Sequence, residues 1–90
     1  MTHAFYSDAA EQALAGLSTS ERAAVESARL FIEKDPDSDR ARGLPDADPR
    51  STSWALELMP EETGGRGISV VYRLSVDLDA VLILWLIAGP

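Results

Sequence analysis

The stretch from Arg66 to Ala88, RGISVVYRLSVDLDAVLILWLIA, limits what this chain can fold into more than any other. Ile68, Val70, Tyr72, Leu74 and Val76 alternate with Ser69, Val71, Arg73 and Ser75, the period-two pattern of a strand with one buried face. Asp77–Asp79 supplies a tight turn, and Ala80–Ala88 follows as a second strand without a polar residue. Such a hairpin needs cover on one face of its first strand and on both faces of its second. The rest of the chain must supply it.

Most of the cover is helical. His3–Tyr6 reads as a short strand, after which Ser7 or Asp8 caps a helix through AAEQALAGL, with Asp8 and Glu11 at capping-box spacing. Ala10, Leu14 and Leu17 give that helix an apolar stripe, and Gly16 ends it. Ser18 and Glu21 form a second capping box, opening a helix over Glu21–Lys34 that stops at Asp35-Pro36. Ala24, Ala28 and Phe31, with Val25 and Ile32 beside them, make its inner face, and Arg22, Glu26, Arg29 and Glu33 point outward. Asp35–Ser53, rich in Pro, Asp, Ser and Arg, reads as a long loop. Trp54–Met59 is a third strand, with Trp54, Leu56 and Leu58 on one face and Ala55, Glu57 and Met59 on the other. Pro60–Gly67 is a flexible connection. The expectation is one α+β domain over residues 1–90, in the order β-α-α-β-β-β. Two N-terminal helices pack on one face of a small antiparallel sheet.

Charge and composition remove several function classes. A net charge of −7 makes non-specific attraction to nucleic acid weak or repulsive. The chain has no cysteine, so it forms no disulfide and offers no thiolate, which fits a reducing cytoplasm. MTHAFYSDAAEQ lacks the charged and apolar regions of a signal peptide, and the run Ala80–Ala88 falls far short of the ~20 residues of a membrane helix. No metal-ligand cluster, phosphate-binding glycine loop or nucleophile motif is present, and no cofactor is expected.

Two segments, RGLPD at Arg42–Asp46 and the hairpin SVVYRLSVDLDAVLILWL, resemble the RelE/ParE superfamily of toxins from bacterial toxin–antitoxin modules, as does the element order. The resemblance covers nearly the whole chain and implies the fold described above. In the RNA-cleaving branch it implies ribosome-dependent mRNA cleavage, with lysines and arginines on the open sheet face holding phosphate. Residue by residue, the middle-strand lysines fall on Ala55 and Glu57, and the arginine of the next strand falls on Ser69. The basic residues after the last strand have no counterpart. A carboxylate where a cation must hold phosphate argues against RNA cleavage.

Face parity points the same way. Ala55, Glu57 and Met59, with Ser69, Val71 and Arg73, are the residues that the helices leave open. The last strand adds either Val81, Ile83, Trp85 and Ile87 or Leu82, Leu84 and Leu86, so the open face is apolar under both parities. Candidate binding residues are therefore Glu57, Ser69, Arg73, Ile83 and Trp85 on the face, with Arg66 nearby and Arg42 and Arg50 from the loop. Each has a structural alternative: Arg73 pairing with Glu57 across strands, Arg42 and Arg50 solvated among loop aspartates, Trp85 packed in the core. His3 has no partner at a telling spacing.

Three function classes follow. The first is a toxin-like protein of a toxin–antitoxin module acting by protein binding, with a cognate antitoxin-like partner; in ParE-type toxins the resemblance implies DNA gyrase as target. The second is a non-toxic interaction module, such as a homodimer, built on the apolar face. The third is a ribonuclease with relocated basic residues, which Glu57, Ser69 and the acidity of the chain oppose.

Overall fold

The computed structural model describes residues 2–44, 51–75 and 77–89. Its elements are β1 (His3–Tyr6), α1 (Asp8–Ala15), α2 (Thr19–Lys34), β2 (Ala41–Leu44), β3 (Ser51–Leu58), α3 (Pro60–Thr63), β4 (Ile68–Ser75) and β5 (Ala80–Ala88). The five strands form one sheet in the order β1-β5-β4-β3-β2. The α+β class and the two N-terminal helices over one sheet face agree with expectation, but the sheet is mixed. β1 runs parallel to β5, from His3 opposite Ala80 to Tyr6 opposite Ile83, while all other pairs are antiparallel.

Serine caps set both helices. The Ser7 hydroxyl accepts from Ala10 N–H at 3.1 Å, so Ser7 rather than Asp8 is the cap of α1. At α2 the Ser18 hydroxyl accepts from Glu21 N–H at 3.2 Å and the Glu21 carboxylate accepts from Ser18 N–H at 2.8 Å, the reciprocal box that the sequence implies. The buried stripe of α2 is Glu21, Val25, Ala28 and Ile32, with Ala24 and Phe31 at its margin. All but Glu21 pack with Leu56, Leu58, Ile68, Val70, Tyr72, Val81, Ile83 and Leu86 into one apolar core. Tyr72 is 1% exposed, its ring stacks on Trp54, and its hydroxyl donates to Pro36 O at 2.7 Å. Burial, with Asp35 and Asp37 nearby, pushes that hydroxyl up to about 12.

Three of the four helix residues expected to face solvent do structural work instead. Arg29 donates to Ala4 O at 3.0 Å, Glu33 accepts from Ala4 N–H at 2.8 Å, and Glu26 accepts from the Tyr6 hydroxyl at 2.9 Å. Side chains of α2 thus satisfy the outer backbone groups at Ala4 of edge strand β1. Arg29 also pairs with Glu26 and Glu33 and holds the Glu26 carboxyl below its ordinary range.

Two elements depart from the expected order. β2 lies inside the stretch read as loop: a four-residue strand, pairing Arg42 with Ala55 and Gly43 with Trp54, is too short to show a period. The connection expected to be flexible is a helical turn, α3, with Pro60 at its first position and Glu62 accepting from Met59 N–H at 3.1 Å. Gly64 closes it at φ 71°, a conformation that L side chains rarely adopt. At Gly65 a Cβ would lie 2.8 Å from Glu21 Oε2, so only glycine admits that approach. Val76 and the stretch 45–50, which includes Arg50 and part of the RGLPD segment, lie outside the described residues.

Candidate functional site

The helices leave one face of the sheet uncovered, and its composition follows from strand parity. β3 contributes Ser53, Ala55 and Glu57, β4 contributes Ser69, Val71, Arg73 and Ser75, and β1 contributes His3 and Phe5. β5 does not keep one parity. Its register against β4 shifts between Val71 and Tyr72, which face Trp85 and Ile83, leaving Leu84 as an extra residue. Before the bulge Val81 and Ile83 point to the core and Leu82 points out. After it Leu86 points to the core while Trp85 and Ile87 point out. The open face is therefore neither of the two sets that strict alternation offers. It takes Leu82 from one and Trp85 and Ile87 from the other.

The bulge is held from outside the strand. Ser7 N–H donates to Ile83 O at 2.9 Å and the Ser7 hydroxyl donates to Leu84 O at 2.8 Å. One serine thus caps α1 and satisfies the carbonyl of the extra residue.

The predicted site residues separate as a result. Ile83 is a correction: it is 0% exposed and belongs to the core, because the bulge follows it. Trp85 is on the face and 54% exposed. Glu57 and Ser69 sit opposite each other on the face, where the Ser69 hydroxyl donates to the Glu57 carboxylate at 2.6 Å. Arg42, from β2, stands 3.9 Å from the same carboxylate. Arg73 is on the face but lies opposite Ser53 and Leu82, four residues along β4 from Ser69, a separation of about 13 Å. The expected cross-strand pairing of Arg73 with Glu57 is replaced by Ser69 and Arg42 at that carboxylate.

Arg66 is a second correction. Its backbone N–H and guanidinium both donate to the Glu21 carboxylate, at 2.9 Å from the backbone, 3.1 Å from Nε and 3.2 Å from the terminal nitrogen. Arg66 foremost, then the N–H groups of Ser18 and Arg66, hold the buried Glu21 carboxyl well below its ordinary range. Arg66 therefore ties the start of β4 to the start of α2, on the helix side of the sheet. The capping-box spacing reveals Glu21 as a cap, but no sequence signal reveals this second partner.

The face is apolar toward β1 and β5 and polar toward β3 and β2. Phe5 (56% exposed), Leu82 (42%), Trp85 and Ile87 (57%) form the apolar part, extended by Leu78 of the turn. A recess of about 470 Å³ opens among Phe5, Arg73, Leu78 and Leu82. A smaller recess of about 240 Å³ lies on the other side of the sheet between Phe31, Arg40, Leu58 and Glu62. There Arg40 bonds Glu62 at 2.6 Å and stands 5.7 Å from the Phe31 ring centre. Among the described residues no group of three or more His, Cys, Asp or Glu side chains could hold a metal ion. No described helix is long and apolar enough to cross a membrane.

No protein-family model matches the sequence, and no curated protein matches it. Solved structures do. The chain is similar to one in the intact E. coli RelBE toxin–antitoxin complex, with a TM-score of 0.73, 11% identity, and 98% of this chain and 96% of that one covered. It is similar to the isolated E. coli RelE toxin at a TM-score of 0.72 and 11% identity, covering 98% of this chain and 84% of that one. An E. coli RelE mutant in the free state gives 0.69 at 12% identity, covering 93% and 79%. The fold is RelE-like.

Proposed function

We propose that this chain is a toxin-like protein of a toxin–antitoxin module, a single cytoplasmic domain that acts by binding protein through the open face of its sheet. The observation that carries this reading is the composition of that face. Phe5, Leu82, Trp85 and Ile87 make a contiguous apolar surface, the kind that marks protein contact rather than phosphate recognition. RNA cleavage is disfavoured by Glu57, whose carboxylate occupies the polar side of the face, where a phosphate would have to approach. The RelE-like fold and the likeness to a chain of the RelBE complex support an antitoxin-like protein as its partner in the cell.

The test is controlled expression in a bacterial host, with mRNA 5′ ends mapped in parallel. The wild-type chain is expected to slow growth with mRNA intact, and Trp85→Glu to relieve the effect. New 5′ ends that follow induction overturn the reading in favour of a ribonuclease. Normal growth under the wild-type chain overturns the toxin-like role and leaves a plain interaction module.

A further inference from the structure

We infer that in the free protein the open face is covered by the same face of a second copy of this chain. The inference rests on the protein-binding reading of that face and names its occupant.

Charge supports self-association. The chain carries a net −7, so two copies repel each other over most of their surfaces. On the strands of the open face the described residues include two arginines, Arg42 and Arg73, against one carboxylate, Glu57, and the turn beside them adds Asp77 and Asp79 around Leu78. Most of the acidic excess thus lies elsewhere on the molecule. Joining two copies face to face brings together nearly neutral surfaces and leaves α1 and α2, with Asp8, Glu11, Glu26 and Glu33, on the outside. An acidic partner would gain little there, and a strongly basic partner would be drawn to the helix side instead.

Size and shape support it as well. Five strands about 4.8 Å apart, with central strands of eight and nine residues at about 3.3 Å each, give a face roughly 20 by 25 Å. With side-chain relief that approaches the ~800 Å² per partner of a standard stable interface. The face also carries both halves of a self-complementary contact. Trp85 projects from it, and the recess between Phe5, Leu78 and Leu82 lies about three residues away along β5. A two-fold axis between them seats the indole of each copy against the recess of the other, so one contact is made twice. Two sheets stacked in this way form a four-layer sandwich, helices outside, with the sheets about 10 Å apart.

The experiment is sedimentation equilibrium on the full chain across a micromolar concentration series, with circular dichroism and thermal melting on each variant. The wild type is expected at twice 9.7 kDa. Trp85→Glu and Ile87→Glu are each expected to weaken self-association by about thirtyfold while folding normally, the loss from burying a carboxylate where an apolar anchor sat. Leu30→Glu, an exposed apolar position on α2, is expected to change nothing. A 9.7 kDa species at every concentration overturns the inference. So does a dimer that both face variants leave intact, or one that Leu30→Glu disrupts. The toxin-like reading fails by a different measurement: a folded dimer without any effect on growth removes that reading and leaves this inference standing. Growth arrest by a strict monomer does the reverse.

Discussion

The two halves of β5 obey different rules although the sequence writes them alike. Val81 and Ile83 precede Leu84 and are buried; Trp85 and Ile87 follow it at the same two-residue spacing and are exposed. One extra residue reverses the facing of everything after it. In the first half, alternation from Val81 leads into the core. In the second half, the same alternation leads to the surface that we propose binds protein. An apolar side chain is therefore structural or available for binding here according to which side of Leu84 it occupies, and hydrophobicity alone does not tell them apart.

Substitutions on either side of Leu84 give the sharpest contrast. Ile83→Lys should place an unpaired ammonium in the core and cost about 4 kcal/mol, most of what a domain this small has to spare. It should appear as loss of the folded state in denaturant titration. Trp85→Glu, two residues on, should shift the stability of the monomer, titrated at a concentration too low for self-association, by no more than about 0.5 kcal/mol. Equal losses at the two positions would mean that the bulge does not reverse the strand.

Removal of the bulge's support should fall between these limits. Ser7→Ala deletes both the cap of α1 and the donor to Leu84 O, and should cost about 1–2 kcal/mol by thermal melting. Deletion of Leu84 should be milder than Ile83→Lys, because Ile83 and Trp85 already face adjacent residues of β4 and a regular ladder results. A deletion that unfolds the protein would show that the extra residue is needed for more than facing.

The pH dependence tests a region far from the bulge. Glu21 titrates below its ordinary value of 4.5 in the folded chain, so its folded form favours the charged state. Its contribution is complete above pH 4.5 and is lost as the pH falls from there through the folded value. Melting temperature measured across that acid range should decline in the wild type, and less steeply in Glu21→Gln, whose starting stability is lower. Parallel declines in the two proteins would assign acid loss to other carboxylates.

What was legible in the sequence follows from how each element is specified. α2 declares itself through Ser18 and Glu21 and an apolar stripe from Ala24 to Ile32, and β4 through the alternation of its buried apolar set with Ser69, Val71, Arg73 and Ser75. The bulge in β5 leaves no mark, because a strand apolar at every position reads the same under both parities. Alternation alone therefore does not assign Ile83 to the core. For Trp85 both parities remain open in the sequence, and the bulge decides between them. β2 and α3 are too short to show a period and are fixed by other elements, β3 for the first and, through Gly64 and Gly65, the start of α2 for the second. The Glu21–Arg66 pair spans 45 residues, and no local spacing encodes it.

The arrangement at Ala4 has a bearing on how the protein behaves when crowded. A sheet that lengthens by adding strands from molecule to molecule needs an unsatisfied donor and acceptor along each margin. At β1 those groups are already taken by Glu33 and Arg29, residues fixed in the half-buried flank of α2 rather than in a mobile tail. A chain with nine consecutive apolar residues in β5 has reason to fear fibrils. Occupying the outward groups of Ala4 removes one docking point for a foreign strand on the margin next to β5.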